Sequence, residues 1–458
     1  MKWMMAKTFA LLLISTLLVT ACGVSTHNNN ASVQTAASDG QSANTPAAQP
    51  ADSSAPQTPA EPVTIEFWHS FSGELADKVT ELLADFESTH PNIKVKPVAV
   101  PYDAMLQTML SAVAAKKPPA AAQIETTLMG RLAADGALAS IADLLPQDAA
   151  ALSDAIIPSI RDANSYGGKL YTVPMGYNSN VLYYNKKMIE DAGLTPDDLP
   201  KTWDQLMEVS KKLTQDTNND GKPEVYGYGF PTRAPWILEV RLWQNKAELF
   251  DEAGTKAMFD SPEAVNTFNN YLKLVDTKST IMVSTDTAVN ELTDMFAAGQ
   301  IAMFEQSSTA FLGIAGKVKF DLGMSQFPTM GEQVYSLGGY NLGVFAEAPA
   351  EQQQAAAELA KWWASPEGAA KWTSLSNYMP GITAAWDTDT LKNWQSEDPR
   401  RGFASQQIPN ARPRPSLPDY PEISELLADA FEASMLGKGD PGQNLQKAAG
   451  EANKILSK

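Results

Sequence analysis

Cysteine is almost absent. Cys22 stands alone in 458 residues, which excludes a disulfide framework and thiol redox chemistry. Histidine is nearly as scarce, with only His69 and His90 beyond His27 of the leader. The chain has no HExxH, no GxSxG elbow and no GxxxxGK phosphate loop, so the common zinc-hydrolase, serine-hydrolase and NTPase chemistries lack their motifs. Positive charge is in deficit: 35 Lys and Arg face 53 Asp and Glu, a formal net charge of −18. That balance argues against nucleic acid or anionic lipid held on a broad basic face. It says little about one small anion, which a single buried arginine can hold.

What is present begins with a leader. Lys2 and Lys7 precede an apolar run from Phe9 to Val19, too short to span a bilayer permanently, and Val19-Thr20-Ala21-Cys22 follows. This is the pattern of a signal peptide over 1–21. Cys22 directly after small residues resembles a bacterial lipobox, so Cys22 is the expected lipidation site. Residues 22–62 are rich in Ala, Ser, Thr, Asn, Gln and Pro and almost free of large apolar side chains. Such a stretch buries too little surface to offset chain entropy and reads as a disordered tether with a reach of roughly 30–40 Å.

The remaining residues, from Val63 on, suffice for two domains. In VTIEFWHSFSGELADKVTELLADF, Val63, Ile65 and Phe67 alternate as a strand. After a polar-aromatic loop from Trp68 to Gly73, Leu75, Val79, Leu82, Leu83 and Phe86 recur as a helix stripe. Strand PNIKVKPVAV, a helix from Pro101, strand AAAQI and a further helix continue the alternation of a doubly wound α/β lobe. Ligands in such sheets bind beyond the carboxyl ends of the strands. That places Trp68, His69, Ser70, Tyr102 and Glu125 along one edge as candidate contacts, Tyr102 equally readable as a helix-start packing residue.

Later segments repeat the strand-then-polar-loop signal. Tyr226–Phe230 is followed by Arg233 and Trp236 before a helix, and an indole on such a loop suits the C–H faces of sugars or glycerol. Trp243, inside that helix, reads as core. QIAMFEQSSTAF ends a strand in Ser307 and Ser308, and SLGGYNLGVF offers Gly339 and Tyr340, where adjacent glycines let backbone approach a ligand. Asp216-Thr-Asn218-Asn-Asp220-Gly221 has half a calcium-loop pattern, but the position needing a bidentate acid is Gly227, so it reads as an Asp/Asn/Gly turn. No cofactor and no metal are expected.

The run EFWHSFSGE, the segment KLYTVPMGYNSNVLYYNKKMIEDAGL and the order of later landmarks resemble the extracellular solute-binding proteins of ABC importers, nearest the glycerol-3-phosphate- and sugar-binding branch. The resemblance covers Val63 to the C-terminus. It implies a two-lobed periplasmic-binding-protein-like fold of type II with a hinged cleft. It also implies lobe 1 over 63–174, lobe 2 over 175–305, a return to lobe 1 over 306–340 and a mainly lobe-2 segment over 341–458. Carried over, Tyr177, Asn178 and Ser179 line the cleft, Tyr378 reaches into it from a G-Y-x-P-like segment in which Asn377 replaces glycine, and Arg414 corresponds to a late cleft arginine. Tyr183 and Tyr184 read as sheet packing.

The function so implied is capture of an extracellular small solute and its delivery to a membrane permease by a monomer anchored only through its lipid, on the extracytoplasmic face of the cell membrane. The branch points to glycerol 3-phosphate or a glycerophosphodiester. Glu125 and Asp103 pull toward a neutral saccharide. A cell-surface glycosidase with a carboxylate pair, which has no fixed spacing, and a lipid-anchored adhesin remain alternatives.

Overall fold

The computed structural model describes residues 61–457, with only the backbone of Tyr102 and Asp103; the expected signal peptide, Cys22 and the tether up to residue 60 lie outside the described residues. Ile65 and Phe67, both fully buried, alternate with the more exposed Thr64 and Glu66 to build β1 (Val63–His69). The helix Glu74–Thr89 then covers the sheet with Val79, Leu82, Leu83 and Phe86 on one stripe. β2 (Ile93–Ala99) and β3 (Ala121–Glu125) flank β1 in parallel register, as crossover connections through helices require.

β4 (Leu138–Ala139) and the hairpin β5 (Ser165–Tyr166) and β6 (Lys169–Leu170) precede β7 (Thr172–Asn178). β8 (Asn180–Asn185), β9 (Tyr226–Pro231), β10 (Thr280–Val283), β11 (Ile301–Ser307) and β12 (Leu322–Gln326) come next, then β13 (Tyr335–Phe345) and β14 (Ala411–Pro413). Seven strands form one sheet in the order β14-β13-β3-β1-β2, with β4 and β7 also on β13; five form a second, β10-β9-β11-β8-β12.

Three differences from the sequence reading concern where the chain changes sheet. Met175–Asn185 (MGYNSNVLYYN), whose apolar and aromatic residues make it readable from sequence as a single strand, breaks at Ser179 into β7 of the first sheet and β8 of the second. The segment 306–340 reads as a return to the first lobe, yet β12 pairs antiparallel with β8 and stays with the five-stranded sheet. Ser307–Thr309 is therefore a turn within one sheet, because β11 and β12 both complete the ladder of β8. A polar loop after an apolar strand looks the same in either case. The segment 341–458 reads as mainly second lobe, but the helices Ala350–Trp363 and Pro366–Ser376 pack on β7, and Trp363 donates its indole N–H to Met175 O. The helix Gly402–Ser405 already touches β8 and β12, β14 rejoins the first sheet, and after it the helices Tyr420–Met435 and Pro441–Leu456 pack on the helix Pro262–Asp276. The changes of sheet thus fall at Ser179, between β12 and β13, and after β14.

Ser179 is fully buried: its hydroxyl donates to Gln407 Oε1, Gln407 Nε2 donates to Asn180 O at 2.9 Å, and Ser179 N donates to Ser308 Oγ at 3.3 Å. The first crossing is therefore held from both sides by side chains far away in sequence.

Candidate ligand-binding site

The carboxyl ends of the first sheet's strands and the start of the helix Pro235–Gln244 enclose a cavity of about 350 Å3, with an adjoining recess of about 130 Å3. Glu125, Trp236, Tyr340 and Arg414 line both. The cavity has an apolar wall of Met105, Leu106 and Met109 from the helix Tyr102–Ala114, continued by Leu128. The recess is polar, lined by Asn178, Asn180, Ser307 and the backbone of Gly338 and Gly339. Gly339 takes φ +150°, and a Cβ there would lie 2.4 Å from Gly176 O, so no larger residue lets β13 pass β7 this closely.

Arg414 is the electrostatic centre. Its Nε and Nη2 donate to Glu239 Oε2 and Oε1 at 2.8 and 3.3 Å, and Nε also donates to Tyr420 Oη at 3.2 Å. Its Nη1 stands 3.7 Å from Glu125 Oε1, beyond hydrogen-bond length. Burial is the largest single influence and works against the guanidinium charge, but Glu239, Tyr420 and Glu125 together outweigh it and hold the Arg414 pKa well above its ordinary value. One edge of the fork is thus locked side-on, and the last nitrogen remains at the cavity wall.

The other expected contacts divide. Ser70 lines the cavity and is held by Gln123, whose Oε1 accepts from Ser70 N at 2.7 Å. Asn178, Ser307, Gly339, Tyr340, Glu125 and Trp236 fall on the walls as well. Trp68 does not. β1 runs two residues further than the sequence suggests, so Trp68 and His69 are strand residues pointing to opposite faces. Trp68 packs beside Met105 and Met109, with its indole N–H on Glu66 Oε2 at 3.2 Å. His69 is buried between the rings of Phe67 and Phe71, each 5.9 Å away.

Arg233 is drawn off as well, ion-paired with Asp286, Glu425, Asp429 and Glu432. Ser179 and Ser308 belong to the crossing described above, not to the cavity. Arg412 pairs with Glu248 and lies over the Trp243 ring at 4.7 Å. Tyr378 stands behind the wall in an aromatic cluster with Phe71, Tyr340 and Trp372; burial pushes its hydroxyl pKa up to about 12. The side chain of Tyr102 lies outside the described residues, although its helix supplies the apolar wall.

Several residues on the walls escaped the sequence reading, as did Glu239, which is fully buried behind Arg414 and lines neither space. Glu239 lies three residues after Trp236, so both are on one helical face. Gln123 lies two before Glu125 on β3, hence on the same side of the strand. Those two signals were available. Tyr420, Pro421 and Glu425 come from a helix nearly two hundred residues away and carried none. Gln123 Nε2 and Asn180 Nδ2 are buried without a hydrogen-bond partner among the described residues. An unspent buried donor costs about 1–3 kcal/mol, so one on the cavity and one on the recess suit a ligand rich in acceptor oxygens.

Residues 72–370 match the family described as bacterial extracellular solute-binding protein. The chain belongs to that family. This solute-binding protein is 27% identical over 415 residues, 86% of its length and 91% of the relative's, to the sn-glycerol-3-phosphate-binding periplasmic protein UgpB of Pectobacterium atrosepticum. The UgpB of Salmonella typhimurium is 28% identical over 416 residues, covering 86% of this chain and 92% of that one. Among solved structures, UgpB from Mycobacterium tuberculosis in complex with glycerophosphocholine superposes with a TM-score of 0.74 at 20% identity, covering 86% and 98% of the two chains. The cyclic alpha-maltosyl-1,6-maltose binding protein of Arthrobacter globiformis gives 0.74 at 24% identity, covering 86% and 99%. The fold is the two-lobed one of periplasmic binding proteins, and the function is solute capture for ABC transport, with a small molecule and an ABC permease as partners. The family and these relatives are transport binding proteins, not enzymes. Among the described residues no helix is long and apolar enough to cross a membrane.

Proposed function

We propose that this solute-binding protein captures a phosphorylated glycerol, glycerol 3-phosphate or a glycerophosphodiester. The phosphate sits at Arg414, with the glyceryl hydroxyls in the polar recess. The observation that carries this reading is Arg414 itself, a guanidinium locked on one edge by Glu239, with its remaining nitrogen 3.7 Å from Glu125 Oε1 on a lining shared with Trp236. Gln123 and Asn180 add N–H donors, and the names of the curated relatives support the same class. Trp236 supplies an apolar plate for the C–H face of the ligand.

The two sheets, with the helices packed on each, act as the two lobes. Ligand contacts residues of both only when they are closed, so binding favours the closed state that the permease reads. The protein works as a monomer anchored by lipid at Cys22, with residues 22–62 as its leash.

A neutral saccharide is the second reading, favoured by the carboxylates of Glu125 and Glu425 on the same walls as Trp236, since carboxylates accept from sugar hydroxyls. Calorimetry with glycerol 3-phosphate, glycerophosphoglycerol and maltose at two salt concentrations separates them. Phosphate binding that weakens with salt and is lost in Arg414→Lys supports the first reading. Undetectable binding of every glycerol phosphate beside measurable maltose binding sinks it.

A further inference from the structure

Two carboxylates flank one guanidinium, and a third on the same cavity is spent on Arg233. Glu239 is fully buried and holds the Arg414 fork side-on, Glu125 faces its Nη1 at 3.7 Å, and Glu425 lines the same cavity. Glu239 alone cancels the formal charge of Arg414 before any ligand enters. Little solvent screens this balance, because the exposed fractions of the two side chains in the Arg414–Glu239 pair are 12% and 0%. A phosphomonoester near neutral pH carries about −1.5 to −2 charges, its second pKa being about 6. A phosphodiester carries one. The carboxylates therefore penalise the monoester more than the diester, while the fork geometry serves both equally.

Glu239 is the decisive one. It sets the guanidinium's charge balance from the interior, where no counterion reaches, and it shares a helical face with Trp236. We infer that Glu239 is a specificity-determining residue that makes the site select singly charged glycerophosphodiesters over doubly charged glycerol 3-phosphate. This rests on phosphate binding at Arg414.

The test measures, by calorimetry at pH 7.5, the affinities of the full chain for glycerol 3-phosphate, glycerophosphoglycerol and maltose, in wild type, Glu239→Gln and Glu239→Asp. Wild type is expected to bind the diester more tightly than the monoester. Glu239→Gln, which keeps the shape but loses the charge and one of the two acceptor oxygens, shifts the monoester-to-diester ratio about tenfold toward the monoester. Glu239→Asp, which keeps the charge, leaves the ratio at the wild-type value. A ratio unmoved in Glu239→Gln overturns the assignment and leaves Glu239 as mere support for Arg414.

Wild type alone supplies a second measurement that needs no folded variant. Between pH 7.5 and 5.5 the monoester gains its second proton, so its affinity rises relative to the diester. The groups facing Arg414 are Glu125 from β3, Glu239 from the helix Pro235–Gln244, and Tyr420 from the helix Tyr420–Met435. A flat ratio overturns the inference. Binding of maltose alone by wild type removes the phosphate reading and this one with it, whereas binding of both phosphates with an unmoved ratio removes only the role of Glu239.

Discussion

The two sides of the cavity are built differently. On the first sheet's side, Gln123, Glu125 and Tyr340 stand on strands fixed by a backbone ladder, with Tyr340 facing Glu125 across the β13–β3 register, and Ser70 directly follows β1 and is held by Gln123. On the opposite side, Trp236 and Glu239 come from one helix, Tyr420 and Glu425 from another, and the two are joined to the first side through Arg414. Strand-end side chains are positioned by hydrogen bonds that the cavity does not disturb. Helix side chains are positioned by packing and by one another, so a change there spreads through its neighbours. Substitutions on the sheet side should therefore alter affinity with little effect on stability, and those in the Arg414 network should alter both.

The largest expected effect is Arg414→Ala. It leaves Glu239 buried without its partner, and breaking such a pair costs about 3–5 kcal/mol. Chemical denaturation of the empty protein should show this in addition to lost binding; unchanged stability would mean that Glu239 finds another partner or water. Next come the two tryptophans, which sharpen the contrast directly. Trp68→Ala should lower the denaturation midpoint of the empty protein, with about 2 kcal/mol lost for a part-buried ring, and leave ligand affinity unchanged. Trp236→Ala should do the reverse, costing about 2 kcal/mol of affinity, roughly 30-fold, with the empty protein's melting temperature nearly constant. A Trp68 variant that loses affinity at constant stability would place that indole in the site after all.

Gly339→Ala tests the sheet side at its tightest point. Clash with Gly176 O and the positive φ should cost about 1–3 kcal/mol, read as a lower melting temperature, and narrow the recess. The smallest effect concerns His69. Burial pushes its imidazole pKa below the ordinary 6.5, partly offset by a backbone hydrogen bond at Phe71. A depressed folded value means the contribution to stability is present above pH 6.5 and is lost as pH falls below it through the folded value, because the unfolded chain takes up the proton first. His69→Phe, an apolar ring between Phe67 and Phe71, should flatten the fall in melting temperature between pH 7 and pH 5; an identical slope would show that His69 stays neutral for no energetic gain.

Much of the sheet side was legible in the sequence. Ser70, Glu125 and Tyr340 follow or begin apolar alternation, and that periodicity reports both the strand and the end at which a ligand is met. Trp236 was legible for the same reason, as an indole between a strand and a helix. Trp68 and His69 misled because a two-residue extension of β1 is invisible to periodicity, and strand parity then sends Trp68 onto the cluster of Met105 and Met109 and His69 between Phe67 and Phe71. The changes of sheet misled because the polar loops after β11 and β12 have the same composition whether the chain turns back or crosses over.

By itself the sequence determined the alternation of strands and helices, the doubly wound first lobe and the family, because these rest on local hydrophobic period and on the order of landmarks. Only the tertiary structure decided that Arg414 answers to Glu239 and Glu125 while Arg233 and Arg412 are spent elsewhere, since charge partners are chosen by distances across elements more than a hundred residues apart. It also decided that Gln407 bonds Ser179 and Asn180 at the first crossing, because a buried hydroxyl and carbonyl must be satisfied by whatever group folding brings to them.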